Sequence, residues 1–157
     1  MTAALCSAAD PAMRAAIVAA ARGWIGTPYC HQASCRGVGA DCLGLLRGVW
    51  REVIGAEPEP CPAYTAAWSE VTGDELLLDA ARRHLHPVDA AQAGPGDVVV
   101  FRMRAGGPVK HVALLTSAGL DPGTIVHAYS GHAVCETSLT PAWHRRIAGI
   151  FRFPQQG

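Results

Sequence analysis

The stretch Ala40-Asp41-Cys42-Leu43-Gly44-Leu45-Leu46-Arg47-Gly48-Val49-Trp50-Arg51 places a cysteine in the first turn of a helix. Leu45, Leu46, Val49, Trp50 and Val53 recur at helical spacing. One face of a helix running to about Ile54 is therefore apolar and turns toward a core. Further along, the pattern changes. The runs Val98–Met103, Val109–Thr116, Thr124–Tyr129, His132–Thr137 and Ile147–Phe153 are short and separated by turns containing glycine or proline, which predicts strands. Helices followed by consecutive strands predict an α+β fold with an antiparallel sheet of about five strands.

Working outward from that helix, Asp10-Pro11 is a helix start, with aspartate as N-cap and proline at the first helical position. The following helix, Ala12 to Arg22, puts Met13, Ile17 and Val18 on a buried stripe and ends at Gly23. Trp24 to Gly39 reads as loop, and Gly55 to Pro62, with three prolines, as an extended surface connection. Asp74 to Leu85 predicts another helix with acidic residues in its first turn. Gly94-Pro95-Gly96-Asp97 is a tight turn that Asp97 shapes. No internal repeat or domain boundary is visible, so residues 1–157 read as one domain.

The chain has 157 residues, half of them hydrophobic. A domain of that size buries about 68–70% of its unfolded surface. Thirteen basic and 13 acidic residues balance to a formal charge of zero, which argues against a nucleic-acid partner. No apolar run is long enough to insert in a membrane. Met1 to Asp10 lacks the basic and apolar regions of a secretory signal, so synthesis in the cytoplasm without a signal peptide is expected. In that setting the six cysteines, Cys6, Cys30, Cys35, Cys42, Cys61 and Cys135, are expected to be mostly reduced. Cys30, Cys35 and Cys42 with His31 fit no common zinc spacing, and neither a metal nor another cofactor is expected.

A thiol becomes a good nucleophile only when its proton is removed, and a helix N-terminus or nearby imidazolium lowers its pKa. That singles out Cys42. Against it stands the ordinary fate of a free cysteine as a small buried hydrophobe. His111 and His127 each lie in an apolar strand-like run. Strand alternation puts His111 on one face with Val109, Ala113 and Leu115. A lone histidine there is more often a core residue, but two on successive strands can meet across a sheet, one orienting the other. Glu136 is the alternative orienter. His31, His84, His86, His132 and His144 are expected at the surface. Trp24, Trp50, Trp68 and Trp143 are expected to serve packing.

Five segments together resemble the NlpC/P60 family of cysteine peptidases. They are Gly26-Thr27-Pro28-Tyr29, Asp41-Cys42-Leu43-Gly44-Leu45, Pro95-Gly96-Asp97-Val98-Val99-Val100-Phe101, His111-Val112-Ala113-Leu114-Leu115 and Ile125-Val126-His127-Ala128. The resemblance runs from about Ala12 to Phe153. It implies a papain-like core and an endopeptidase acting on peptidoglycan stem peptides, commonly at the bond between D-γ-glutamate and a diamino acid. Carried onto this chain, it makes Cys42 the nucleophile, His111 the general base and His127 its orienter. Tyr29 would line the site near the thiolate and Asp41 would help hold substrate before the scissile bond. The backbone N–H of Cys42 is the expected oxyanion donor. Leu43 stands where many members have serine. The stretch after Tyr29 lacks the glycine pair common there, so substrate preference is in question more than mechanism. Tyr29-Cys30-His31-Gln32-Ala33-Ser34 together with Asp41 to Arg51 resembles the branch encoded with phage and gene-transfer-agent tails. That implies tail or baseplate proteins as partners and a place in the tail. The alternatives are a structural tail component with a vestigial site and an amidase of the CHAP type.

Overall fold

The computed structural model describes residues 10–61 and 75–155. Trp68 and Asp74, singled out above, lie outside the described residues. Helix α1 spans Pro11–Gly23, and Asp10 caps it by accepting from the Ala12 N–H at 3.0 Å. The region expected to be loop contains a small hairpin, β1 (Ser34–Cys35) against β2 (Gly39–Ala40). Helix α2, Cys42–Val53, follows directly. Helix α3 covers Leu76–His84, with Glu75 before it.

The main sheet is built from β3 (His86–Pro87), β4 (Val98–Arg102), β5 (Val109–Leu115), β6 (Thr124–His127), β7 (Cys135–Ser138) and β8 (Ile147–Arg152). Its order is β3-β8-β4-β5-β6-β7, and every neighbouring pair is antiparallel. The five expected strands are present. The sixth, β3, is a two-residue edge piece with no periodicity of its own. Strand β7 starts later than the expected His132. A short helix, α4 (Pro141–His144), precedes β8.

Strand alternation sends alternate side chains into two layers. Val98, Val100, Val112, Leu114 and Val126 pack with Ile17, Leu45, Val49 and Leu77 of the helices. Val99, Phe101, Ala113, Leu115 and Ile125 pack on the opposite side with Ile150, Leu139 and Trp143. One expectation fails here. Val109 packs in the helix-side layer, apart from Ala113 and Leu115. The cause is a register shift: Phe101 pairs with His111 but Arg102 pairs with Val109, so Lys110 is an extra residue that reverses the alternation.

The seat of α2 depends on two glycines. A Cβ on Gly44 would stand 1.8 Å from the Ala33 carbonyl oxygen, and one on Gly48 would stand 2.0 Å from Trp24 Cζ2. Trp24 is almost completely buried. Gly48→Ala is therefore expected to lower unfolding free energy by about 1–3 kcal/mol, the usual cost of overpacking. Chemical denaturation checks this, and unchanged stability would contradict it. Asp97 shapes its turn as expected. Fully buried, it accepts from the Gly94 N–H at 2.9 Å and from Arg152 Nε at 2.8 Å, tying β8 to the entrance of β4.

Candidate active site

Cys42 begins α2 because Asp41 stops the chain from being helical one residue earlier. Asp41 is extended, with φ −98° and ψ −174°, and its Oδ1 accepts from the Gly44 N–H at 2.7 Å. Its Oδ2 accepts from the Gln32 N–H at 2.8 Å, and His31 Nδ1 lies 3.8 Å from it. One buried carboxylate thus fixes both the helix start and the turn beside it. The Cys42 thiol approaches the Lys110 carbonyl oxygen at 3.8 Å, through the residue that the β5 irregularity makes extra.

His111 Nε2 and His127 Nδ1 are 2.9 Å apart, and His127 Nε2 is 3.1 Å from Thr137 Oγ1. Both rings are buried. Trp143 of α4 stands beside them, its ring centroid 5.1 Å from His111 and 5.4 Å from His127. Tyr129 closes another side at 5.9 Å from His111. With Nε2 of His111 committed to His127, Nδ1 is the nitrogen left for a thiol.

Cys42 and His111 meet in one cleft of about 210 Å³, lined also by Tyr29, Asp41, Lys110 and Tyr129 among others. Tyr29 is bridged to Ala40, which brings it beside Cys42. Every candidate from the sequence therefore borders the cleft except His127, which sits behind His111. Glu136 is engaged elsewhere: Arg22 Nη2 donates to it at 3.0 Å, so it does not orient His111. His31, expected at the surface, lines the cleft. Sequence reasoning missed Thr137, Tyr129 and the placement of Trp143 against the imidazoles. Alternation along β7 does put Thr137 on the face of its neighbour Cys135, the residue paired with His127. The structure keeps Trp24 and Trp50 as packing residues, Trp50 against Phe153 at 5.8 Å.

The electrostatics differ from the expectation of a lowered thiol pKa. Burial, and then the neighbouring Asp41 charge, push the Cys42 thiol up to about 12. The backbone N–H groups of Val112, Leu43 and Cys42 pull the other way and lose. The helix end is real, but desolvation of a thiolate outweighs half a positive charge. Burial, and then His127, bring His111 down to about 3. Burial and His132 bring His127 down to about 4. Burial thus disfavours the charged form of the thiol and of both imidazoles. Burial and the Asp41 charge also raise the Tyr29 phenol.

A stability consequence follows from the histidines. Below 6.5, their ordinary value, the unfolded chain takes up protons that the folded rings refuse until about 3 and about 4. Stability held above pH 6.5 is therefore expected to fall as pH drops toward 3. Urea titrations at several pH values measure this, and a midpoint unchanged from neutral pH to pH 4 would contradict it.

Among the described residues, no group of three or more His, Cys, Asp or Glu is arranged to hold a metal ion, and no helix is long and apolar enough to cross a membrane.

The architecture and the cleft define a class: an α+β protein with a thiol at a helix N-terminus and a pair of hydrogen-bonded imidazoles on adjoining strands. The chain belongs to the NlpC/P60 family, whose family model matches residues 26–152. Members of this family are typically cysteine peptidases of the cell wall. Solved structures share the fold. An NLP/P60 family protein similar to a lipoprotein, from Staphylococcus aureus, superposes with TM-score 0.64 at 19% identity, covering 94% of this chain and 43% of that one. An NlpC/P60 family protein from Bacillus cereus gives 0.64 at 22% identity, covering 89% and 40%. NlpC2 from Trichomonas vaginalis gives 0.62 at 20%, covering 92% and 48%. The chain spans less than half the length of these solved relatives. A comparison with curated proteins returns no match.

Proposed function

We propose that this protein is a thiol endopeptidase that cuts peptidoglycan stem peptides, with Cys42 as nucleophile, His111 as general base and His127 as its orienter. The observation that carries the reading is the His111–His127 hydrogen bond of 2.9 Å, which leaves His111 Nδ1 for the thiol of the cleft that Cys42 and His111 share. His111 Nδ1 takes the Cys42 proton, and the thiolate attacks the substrate carbonyl. The two charges stabilise each other, so the raised thiol and lowered imidazole need not be overcome separately. The α2 N-terminus and the N–H of Cys42 receive the oxyanion. Protonated His111 gives its proton to the leaving amine. Water, with His111 again as base, then hydrolyses the thioester. Tyr29 walls the cleft beside the thiol. Asp41 acts by holding the Gln32 turn and the start of α2, and so contributes to substrate holding through the shape of that wall.

The scissile bond in this reading is that between D-γ-glutamate and a diamino acid. The cellular setting is a phage-like or gene-transfer-agent tail, where a baseplate protein carries the peptidase to the wall. The supporting features are the residues Tyr29 to Ser34 and Asp41 to Arg51, which resemble that branch. Release of soluble peptides from purified peptidoglycan by the isolated chain tests the activity, and no release would count against it. Proteomics of purified tail particles tests the setting: the chain co-purifying with baseplate proteins supports it, and its absence from the particles refutes it.

A further inference from the structure

We propose that Thr137 is a positioning residue: its hydroxyl biases the ring tautomer of His127 and thereby which nitrogen of His111 carries a proton. The inference rests on the reading of Cys42 and His111 as nucleophile and base. Two tautomer patterns satisfy the hydrogen bond between the imidazoles. In the first, His111 Nε2–H donates to bare His127 Nδ1, and His127 holds its own proton on Nε2. His111 Nδ1 is then bare and can accept a proton. In the second, His127 Nδ1–H donates to bare His111 Nε2. The His111 proton then sits on Nδ1, where it blocks the thiol.

The contact of 3.1 Å between His127 Nε2 and Thr137 Oγ1 is open to both. The hydroxyl accepts the Nε2–H of the first pattern or donates to the bare Nε2 of the second, so the two patterns differ in what its loss costs. Without it, the first pattern leaves a buried donor unpaired, whereas the second leaves only an unused lone pair. Buried orphan N–H groups are the rarer of the two defects in folded proteins. His127 is 3% exposed and walled by Trp143 and Tyr129, so water is poorly placed to substitute. The strand register makes the contact possible: Ile125 pairs with Thr137 and His127 with Cys135, which places Thr137 diagonal to His127 on one face.

The test compares the full chain with Thr137→Val, which keeps the side-chain shape, and Thr137→Ser, which keeps the hydroxyl. Nitrogen-15 NMR of the imidazoles reads the tautomers directly. Wild type is expected to show protonated Nε2 on both His111 and His127. Thr137→Val should shift His127 toward protonated Nδ1, and Thr137→Ser should restore the wild-type spectrum. In peptide cleavage, Thr137→Val should lose about 10-fold or more in kcat, as expected for an unpaired buried donor, with KM little changed. Thr137→Ser should recover most of that loss. Identical tautomers in wild type and Thr137→Val would overturn the proposal, as would a shifted tautomer with unchanged kcat. If wild type cleaves no peptidoglycan, the proposed function fails. The spectra still decide whether Thr137 sets the tautomer.

Discussion

Cys42→Ala is expected to lower peptide release from peptidoglycan by at least about 10⁴-fold, the scale seen when a nucleophile is deleted from an acyl-transfer site. No other described group is placed to replace the sulfur. Besides Cys42 and His111, the side chains bordering the same cleft are Tyr29, His31, Asp41, Lys110, Tyr129 and Ser130, together with apolar residues. The Tyr29 phenol is raised by burial and by Asp41, which makes it a poorer nucleophile still. The carboxylate of Asp41 is committed to the N–H groups of Gly44 and Gln32. The variant should fold, because the cap on α2 belongs to Asp41 and the apolar stripe to Leu45 and Val49. Its unfolding free energy should stay within about 1 kcal/mol of wild type, as for substitutions that leave caps and core intact. Residual digestion close to wild type would remove Cys42 from the mechanism.

His111→Ala is expected to cost about 10³–10⁴-fold in kcat, near the upper range for a positioned proton carrier. His127→Ala should cost less, about 10–100-fold, because it removes an orienting partner while the base remains. The order matters more than the values. His127 reaches the thiol only through His111, being bonded to Nε2 on one side and Thr137 on the other. Steady-state cleavage of a synthetic stem peptide by the two variants tests this. Equal losses would mean that His127 does more than orient, and an active His111→Ala would remove the base.

The elements readable from the sequence were those with their own local signal. Asp10-Pro11 announced α1, and the spacing of Leu45, Val49 and Trp50 announced α2 to within a residue. The apolar run of β4 was equally plain because both its faces are covered. What escaped was set by tertiary contacts. β3 is a strand only because β8 lies beside it, and α4 is a single turn capped by Thr140. The extra residue at Lys110 comes from pairing with β4, so nothing in Val109 to Leu115 alone betrays it. For the same reason Trp143 could be read as a packing residue but not placed against His111. The pairing of His111 with His127 was readable, since alternation on neighbouring strands offers it. The upward shift of the Cys42 thiol and the downward shift of the imidazoles were not, because burial is set by tertiary packing such as that of Trp143 and Tyr129 on the His111 ring.

The most direct test of the central claim is mass spectrometry of the soluble products released from purified peptidoglycan by the wild-type chain, with Cys42→Ala as the blank. The account predicts peptides ending at γ-glutamate with wild type and none with the variant. Products cut at another bond, or the same products from both proteins, would contradict it.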